Sequence, residues 1–217
     1  MPVKLEVWGD GALFSRPEFK VEKVSYDVMT PSAARGILEA IYWHPGLRWV
    51  IDRIVVMNPI RFNNIKRNEV KSTISARSVS ATLSKGGTVL PLYTAEDIQP
   101  RAAMYLRDVR YVIEAHFILT EDMGPDDSAA KFQSMFNRRA GKGQCYHHPY
   151  LGCREFPAAF RLWGSDEEAR GFEEGNRDLG FMLYDMDYSN PADIKPMFFR
   201  GVLHNGVLDC ENIEVMS

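Results

Sequence analysis

Two segments with helical spacing, each opened by a capping residue and each flanked by apolar, β-branched runs, restrict this chain to few folds. Thr30-Pro31-Ser32 opens the first, with Thr30 suited to accept from a free N–H at the helix start and Pro31 suited to the first helical position. Ile37, Leu38 and Ile41 form its apolar stripe, and Pro45-Gly46 stops it with Tyr42, Trp43 and His44 in the last turn. The second follows Met123-Gly124-Pro125, takes Asp126 or Asp127 as its cap and runs to about Arg139. Ala129, Phe132, Met135 and Phe136 recur along its buried side. Strands are expected at 3–9, where Val3-Lys4-Leu5-Glu6-Val7 alternates, and at 47–57, 109–119 and 154–163. Strand, helix, strand, strand, helix, strand is the element order of a ferredoxin-like, or RRM-like, α+β domain, in which two helices cover one face of an antiparallel sheet.

That domain is expected over residues 1–163. Residues 63–103 show little periodicity and carry Lys85-Gly86-Gly87, so they read as a long loop or protruding hairpin. An acidic loop from 164 to 178 leads into strands at 179–188, 196–203 and 207–215, the last two joined by Asn205-Gly206, a strong hairpin signal. Residues 164–217 are therefore expected to form a small C-terminal antiparallel sheet. A hydrophobic share of 45% in 217 residues is enough for one large core and an annex. No apolar run approaches the ~20 residues that cross a bilayer, and no signal-peptide pattern opens the chain, so a cytoplasmic protein without membrane contact is expected. Cys145, Cys153 and Cys210 match neither a disulfide framework nor a four-ligand zinc site. Reduced thiols and no metal or cofactor are expected.

The net charge of −3 conceals an uneven distribution. Between 60 and 90, Arg61, Lys66, Arg67, Lys71, Arg77 and Lys85 face only Glu69. Between 131 and 161, Lys131, Arg138, Arg139, Lys142, Arg154 and Arg161 face only Glu155. Acids gather instead at Asp166, Glu167, Glu168, Glu173, Glu174, Asp178, Asp185 and Asp187. Local field decides where a polyanion binds, so a basic groove fits inside a slightly acidic protein. The stretch from Arg138 to Pro157 adds Tyr146, His147, His148 and Tyr150 among its cations and glycines. Cations pair with phosphates and aromatic faces stack on unpaired bases, which makes this an RNA-handling composition. Arg61, Lys66, Arg67, Arg77, Arg138, Arg139, Lys142, Tyr146 and Arg154 are the candidate RNA contacts.

Several blocks resemble one family. Val7-Trp8-Gly9-Asp10, the run Val21 to Met29, Ala33 to Trp43, Gln144 to Pro157 and Asp178 to Asp185 are similar to the subtype I-C (Dvulg) branch of the CRISPR-associated Cas-five family. The resemblance spans nearly the whole chain. It implies an RRM-like domain with a C-terminal β-sheet, cleavage of precursor CRISPR RNA within the repeat hairpin, and retention of the mature crRNA beside other subunits of a Cascade-like complex. It also implies a catalytic tyrosine at the end of the first helix, matched by Tyr42, and an adjacent Lys-His pair near the start of the second. Lys131 matches that lysine; Phe132 stands where the histidine would be.

Metal-independent RNA scission uses the ribose 2′-OH as nucleophile, so the protein must orient that hydroxyl, stabilise added negative charge and protonate the departing 5′-oxygen. A tyrosine hydroxyl suits the first task and a lysine the second. For the third an imidazole is the natural group. His147, in the basic stretch, is the expected donor, with His148, His44 and His116 as alternatives. Two rival readings follow: a weakly catalytic scaffold that grips the crRNA 5′ handle, favoured by Phe132, and an accessory factor that binds duplex DNA, favoured by the basic stretches alone.

Overall fold

The structure, a computed structural model, describes residues 2–84, 93–164 and 168–216. Lys85-Gly86-Gly87, Asp166 and Glu167 lie outside the described residues. In chain order the elements are β1 (Val3–Ala12), β2 (Lys23–Val24), α1 (Pro31–Ile41), β3 (Leu47–Val56), β4 (Phe62–Val70), α2 (Ala76–Ser84), β5 (Ile98–Leu119), α3 (Ala129–Gly141), β6 (Ala159–Leu162), β7 (Asn176–Asp187), β8 (Lys195–His204) and β9 (Val207–Asp209). They give a mixed α/β protein built on one large sheet, with strand order β6-β1-β5-β3-β9-β8-β7 and antiparallel pairing along that path. Two short excursions, β2 and β4, pair with β5. None of the described helices is long and apolar enough to cross a membrane.

One face of the sheet carries α1 and α3. Leu5 and Val7 of β1 and Ile113, Ala115 and Phe117 of β5 turn their side chains to this face, as period-two alternation requires. Ile37, Leu38 and Ile41 of α1 and Phe132, Phe136 and Ala140 of α3 meet them, all buried. Trp49 of β3 packs on Phe136 with ring centroids 4.8 Å apart, and Phe117 meets Phe132 edge-on at 6.2 Å. Thr30 caps α1 as expected, its side chain accepting from the Ala33 N–H.

The elements depart from expectation where tertiary contacts outweigh local signals. β1 runs past Gly9 to Ala12, because β5 continues opposite it to the Ala12–Leu106 pair. α1 ends at Ile41, so Tyr42 is not in its last turn but is extended at φ −150° and ψ 116°. The carbonyls at this end find tertiary partners: Arg139 Nη1 donates to Ile41 O at 3.1 Å and Trp49 Nε1 to Tyr42 O at 3.0 Å. The cap of α3 is Ser128, which accepts from the Lys131 N–H, rather than Asp126 or Asp127. The 63–103 segment forms the hairpin alternative: β4 pairs with the start of β5 from Phe62–Leu106 to Val70–Ile98, with the unexpected helix α2 beyond its tip. β6 begins at Ala159 instead of Arg154, and the last strand stops at Asp209 instead of Val215. Asn205 and Gly206 do make the tight turn between β8 and β9, with φ of 52° and 73°. Through β9 the C-terminal strands join β3, so they extend the main sheet.

Candidate active site

The C-terminal end of α1 and the first turn of α3 come together around Tyr42, His44, Asp127, Lys131 and Phe132. Tyr42 is 5% exposed and packs beside Phe132, ring centroids 6.3 Å apart. The Arg139 guanidinium lies 5.2 Å from the centre of its ring. Its phenol makes no hydrogen bond among the described residues. Burial raises the Tyr42 pKa, an effect opposed by the nearby charges of Arg139 and Lys131. The phenol therefore keeps its proton at neutral pH.

Asp127, set free from capping by Ser128, organises the other half. Its Oδ1 accepts from Lys131 Nζ at 2.9 Å, one helical turn on, and its Oδ2 accepts from the Gly124 N–H at 2.9 Å. His44 Nε2 stands 3.6 Å from the same Oδ2. The Lys131 hydrogen bond, aided by Gly124, holds the Asp127 carboxyl below its usual range, and Asp127 in turn raises Lys131. Phe132 is fully buried and packs between Tyr42, His44 and Phe117. A histidine position of the resembled family is thus occupied here by a core side chain.

His147 is elsewhere. It lines a cavity of about 340 Å³ with Thr30, Gly36, Ala40 and Tyr150, and its ring contacts Tyr146 edge-on. His148 borders a different hollow beside Trp8 and Tyr105. His116 is on the sheet face away from the helices, with Nδ1 2.6 Å from Asp52 Oδ1. Asp52, His116 and Glu211 offer ligand atoms within 4.8 Å of one another. Cys145, Cys153 and Cys210 are free thiols.

The two basic stretches meet at one edge of the molecule. Arg67 on β4 forms an ion pair with Glu155, and Tyr105 of β5 stacks on Phe156 at 5.3 Å. This seats the 144–157 segment against the β4–β5 hairpin. Arg61, Lys66 and Arg77 on the hairpin and Arg138, Lys142 and Arg154 beyond it are exposed, with no carboxylate at ion-pair distance among the described residues. Arg139 turns inward, to Ile41 O and the Tyr42 ring, and Arg67 is part-buried at its pair with Glu155. Tyr146 is 86% exposed, although its backbone N–H is tied to Ala40 O at 2.8 Å. Sequence reasoning gave Asp127 only a capping role; its i, i+4 spacing to Lys131 was the available sign of another.

This architecture recurs among CRISPR proteins. A solved structure titled "Crystal Structure of CRISPR-associated Protein" superposes with a TM-score of 0.72 over 100% of this chain and 97% of that one, at 24% identity. The chain belongs to the family described as CRISPR-associated protein (Cas_Cas5), which matches residues 3–211. The CRISPR pre-crRNA endoribonuclease Cas5d of Mannheimia succiniciproducens is 50% identical over 213 residues, covering 95% of this chain and 93% of that protein. The protein of the same name from Thermus thermophilus is 41% identical over 186 residues, covering 86% and 73%.

Proposed function

We propose that this chain is an endoribonuclease that cuts precursor CRISPR RNA within the repeat and stays on the crRNA 5′ handle in a Cascade-like complex of the cytoplasm. The sheet order β6-β1-β5-β3, with α1 and α3 on one face, supports reading the body as ferredoxin-like, or RRM-like, with a C-terminal antiparallel extension. One observation carries the enzymatic reading. In a chain half identical to a named pre-crRNA endoribonuclease, the Tyr42 phenol stands without a hydrogen bond in the field of Lys131 and Arg139.

The chemistry divides simply. Tyr42 orients the ribose 2′-OH toward the adjacent phosphorus, its proton retained. Lys131, kept protonated by Asp127, offsets charge as the phosphorane forms, the contribution that usually dominates. The exposed cations of the hairpin and of the segment after α3 hold phosphates, and Tyr146 offers a ring for an unpaired base. His147, one cavity away, is assigned to that binding surface.

The test is incubation of purified protein with its own repeat RNA in excess EDTA. Cutting that persists, and that disappears when a 2′-deoxy sugar precedes the scissile bond, supports the reading. Burial of Phe132 at the family's histidine position favours a second one, a scaffold that binds the handle without cutting. Tight repeat binding with no cleavage in the same assay would establish that alternative.

A further inference from the structure

Beside Lys131, the site offers an imidazole for the charge that builds on the scissile phosphate. Of the five histidines, His204 is bonded to Asn176, His116 to Asp52, and His147 and His148 line separate hollows. His44 alone shares a carboxylate with Lys131. The Gly46 N–H donates to His44 Nδ1 at 3.0 Å, so Nδ1 is an acceptor and the neutral ring carries its proton on Nε2. That nitrogen lies 3.6 Å from Asp127 Oδ2, too far for a hydrogen bond, which leaves its proton available. The ring rests on buried Phe132, centroids 4.9 Å apart, and Asp127 is itself pinned by Gly124.

We infer that His44 is a catalytic residue, a neutral hydrogen-bond donor whose Nε2–H and the Lys131 ammonium together take the non-bridging oxygens of the scissile phosphate, with Asp127 as the positioning residue. This rests on the ribonuclease reading above. In the step, the 2′-oxygen bonds to phosphorus and the bond to the 5′-oxygen breaks. The 2′-OH proton leaves to water and the departing oxygen takes one from water. His44 neither gains nor loses a proton; it stabilises charge on an oxygen that remains attached. Phe132 then has a function: it fills the family's histidine position and provides the shelf for another imidazole.

Single-turnover cleavage tests this with the unsubstituted protein, His44→Ala and His44→Gln, on repeat RNA whose scissile phosphate carries either oxygen or one non-bridging sulfur of defined configuration. Binding is read separately on 2′-deoxy RNA. His44→Ala should slow cutting about 10²-fold at unchanged affinity, and His44→Gln, which keeps an N–H donor, should recover much of the rate. Sulfur in one configuration should slow the unsubstituted protein and affect His44→Ala less. That stereospecific effect in the unsubstituted protein needs no variant to fold, and its absence would overturn the inference. So would full activity of His44→Ala, or full rescue of that variant by a substrate with sulfur at the departing 5′ position, the mark of a proton donor. If the unsubstituted protein leaves every substrate uncut, the ribonuclease reading fails and this inference falls with it; cutting that ignores His44 removes the inference alone.

Discussion

The sheet face away from α1 and α3 and the region around the β4–β5 hairpin differ in how many of their cations meet a carboxylate. On the face away from α1 and α3, Glu6 is 1% exposed and takes ion pairs from both Arg110 and Arg161, while Glu114 takes Lys4 at 2.8 Å and Arg53 at 2.7 Å. Near the helices and the β4–β5 hairpin, Arg61, Lys66, Arg77, Arg138, Lys142 and Arg154 are exposed without a carboxylate partner among the described residues. Two guanidiniums sharing the buried Glu6 carboxylate have little left for a phosphate, whereas the exposed Lys131 ammonium has three N–H donors and gives Asp127 one of them. The difference shows why the number of cations along a chain says less than their partners do. On the far face Glu6 and Glu114 each gather two cations; on the hairpin side Arg67 and Arg101 are paired with Glu155 and Glu69, while the six cations named above have no such partner among the described residues.

The largest effect expected from this contrast is catalytic. Lys131→Ala should slow repeat cleavage about 10²-fold or more under single-turnover conditions, with affinity for a 2′-deoxy repeat nearly unchanged. Tyr42→Phe should slow it as well, by a smaller factor, because orientation is lost and charge stabilisation remains. A parallel loss of affinity in Lys131→Ala would make Lys131 a binding residue. Next in size are the cations that hold phosphates. A double Arg61→Ala, Lys66→Ala variant should weaken repeat binding severalfold. On single-stranded RNA, the slope of log affinity against log salt should flatten by about 0.7 for each phosphate no longer neutralised. Arg53→Ala on the far face should change neither. Equal slopes for the two variants would break the comparison between the two regions.

How much of this was legible in the sequence depended on whether an element faced the core. α1 and α3 announced themselves because Ile37, Leu38, Ile41, Phe132 and Phe136 all point inward. The Asn205-Gly206 turn was equally plain, since its backbone demands residues that tolerate positive φ. The hairpin was only half visible: α2 buries none of its side chains, and β4 is mostly exposed, so neither carries an apolar period. The site was legible as residue types but not as partners. The family resemblance makes Tyr42 and Lys131 candidates, whereas the pairing of Asp127 with Lys131 and His44 depends on Ser128 taking the cap. Nothing in a local capping rule ranks Ser128 above its two acidic neighbours. His147 drew attention by its basic setting, yet chain proximity to cations does not fix which cavity a ring enters.

The far face offers a measure of stability. Glu6→Gln should lower the melting temperature by about 4–8 °C, corresponding to about 2 kcal/mol for two charge-assisted bonds in a chain of this size. Repeat affinity should stay the same, because Arg110 and Arg161 flank β1 rather than the hairpin. A rise in affinity would mean that carboxylates on the far face actively suppress RNA binding there.

The smallest effect expected is that of pH on the Asp127–Lys131 pair. Asp127 has a folded pKa below its ordinary 3.8, so its contribution is present above that value and is lost only as pH falls through the lower folded one. Lys131 has a folded pKa above its ordinary 10.5, so its contribution is whole below that value and is lost only as pH rises through the higher folded one. Both partners are thus charged over the whole neutral range. The melting-temperature difference between the unsubstituted protein and Lys131→Met should stay flat from about pH 8 to pH 9, as measured by thermal unfolding in matched buffers, because neither partner of the pair titrates there. At lower pH His44 also faces Asp127 Oδ2, and an imidazole ordinarily changes charge between about pH 5 and 8, so a slope belongs there; a slope above about pH 8 would mean that a group other than His44 shares the pair.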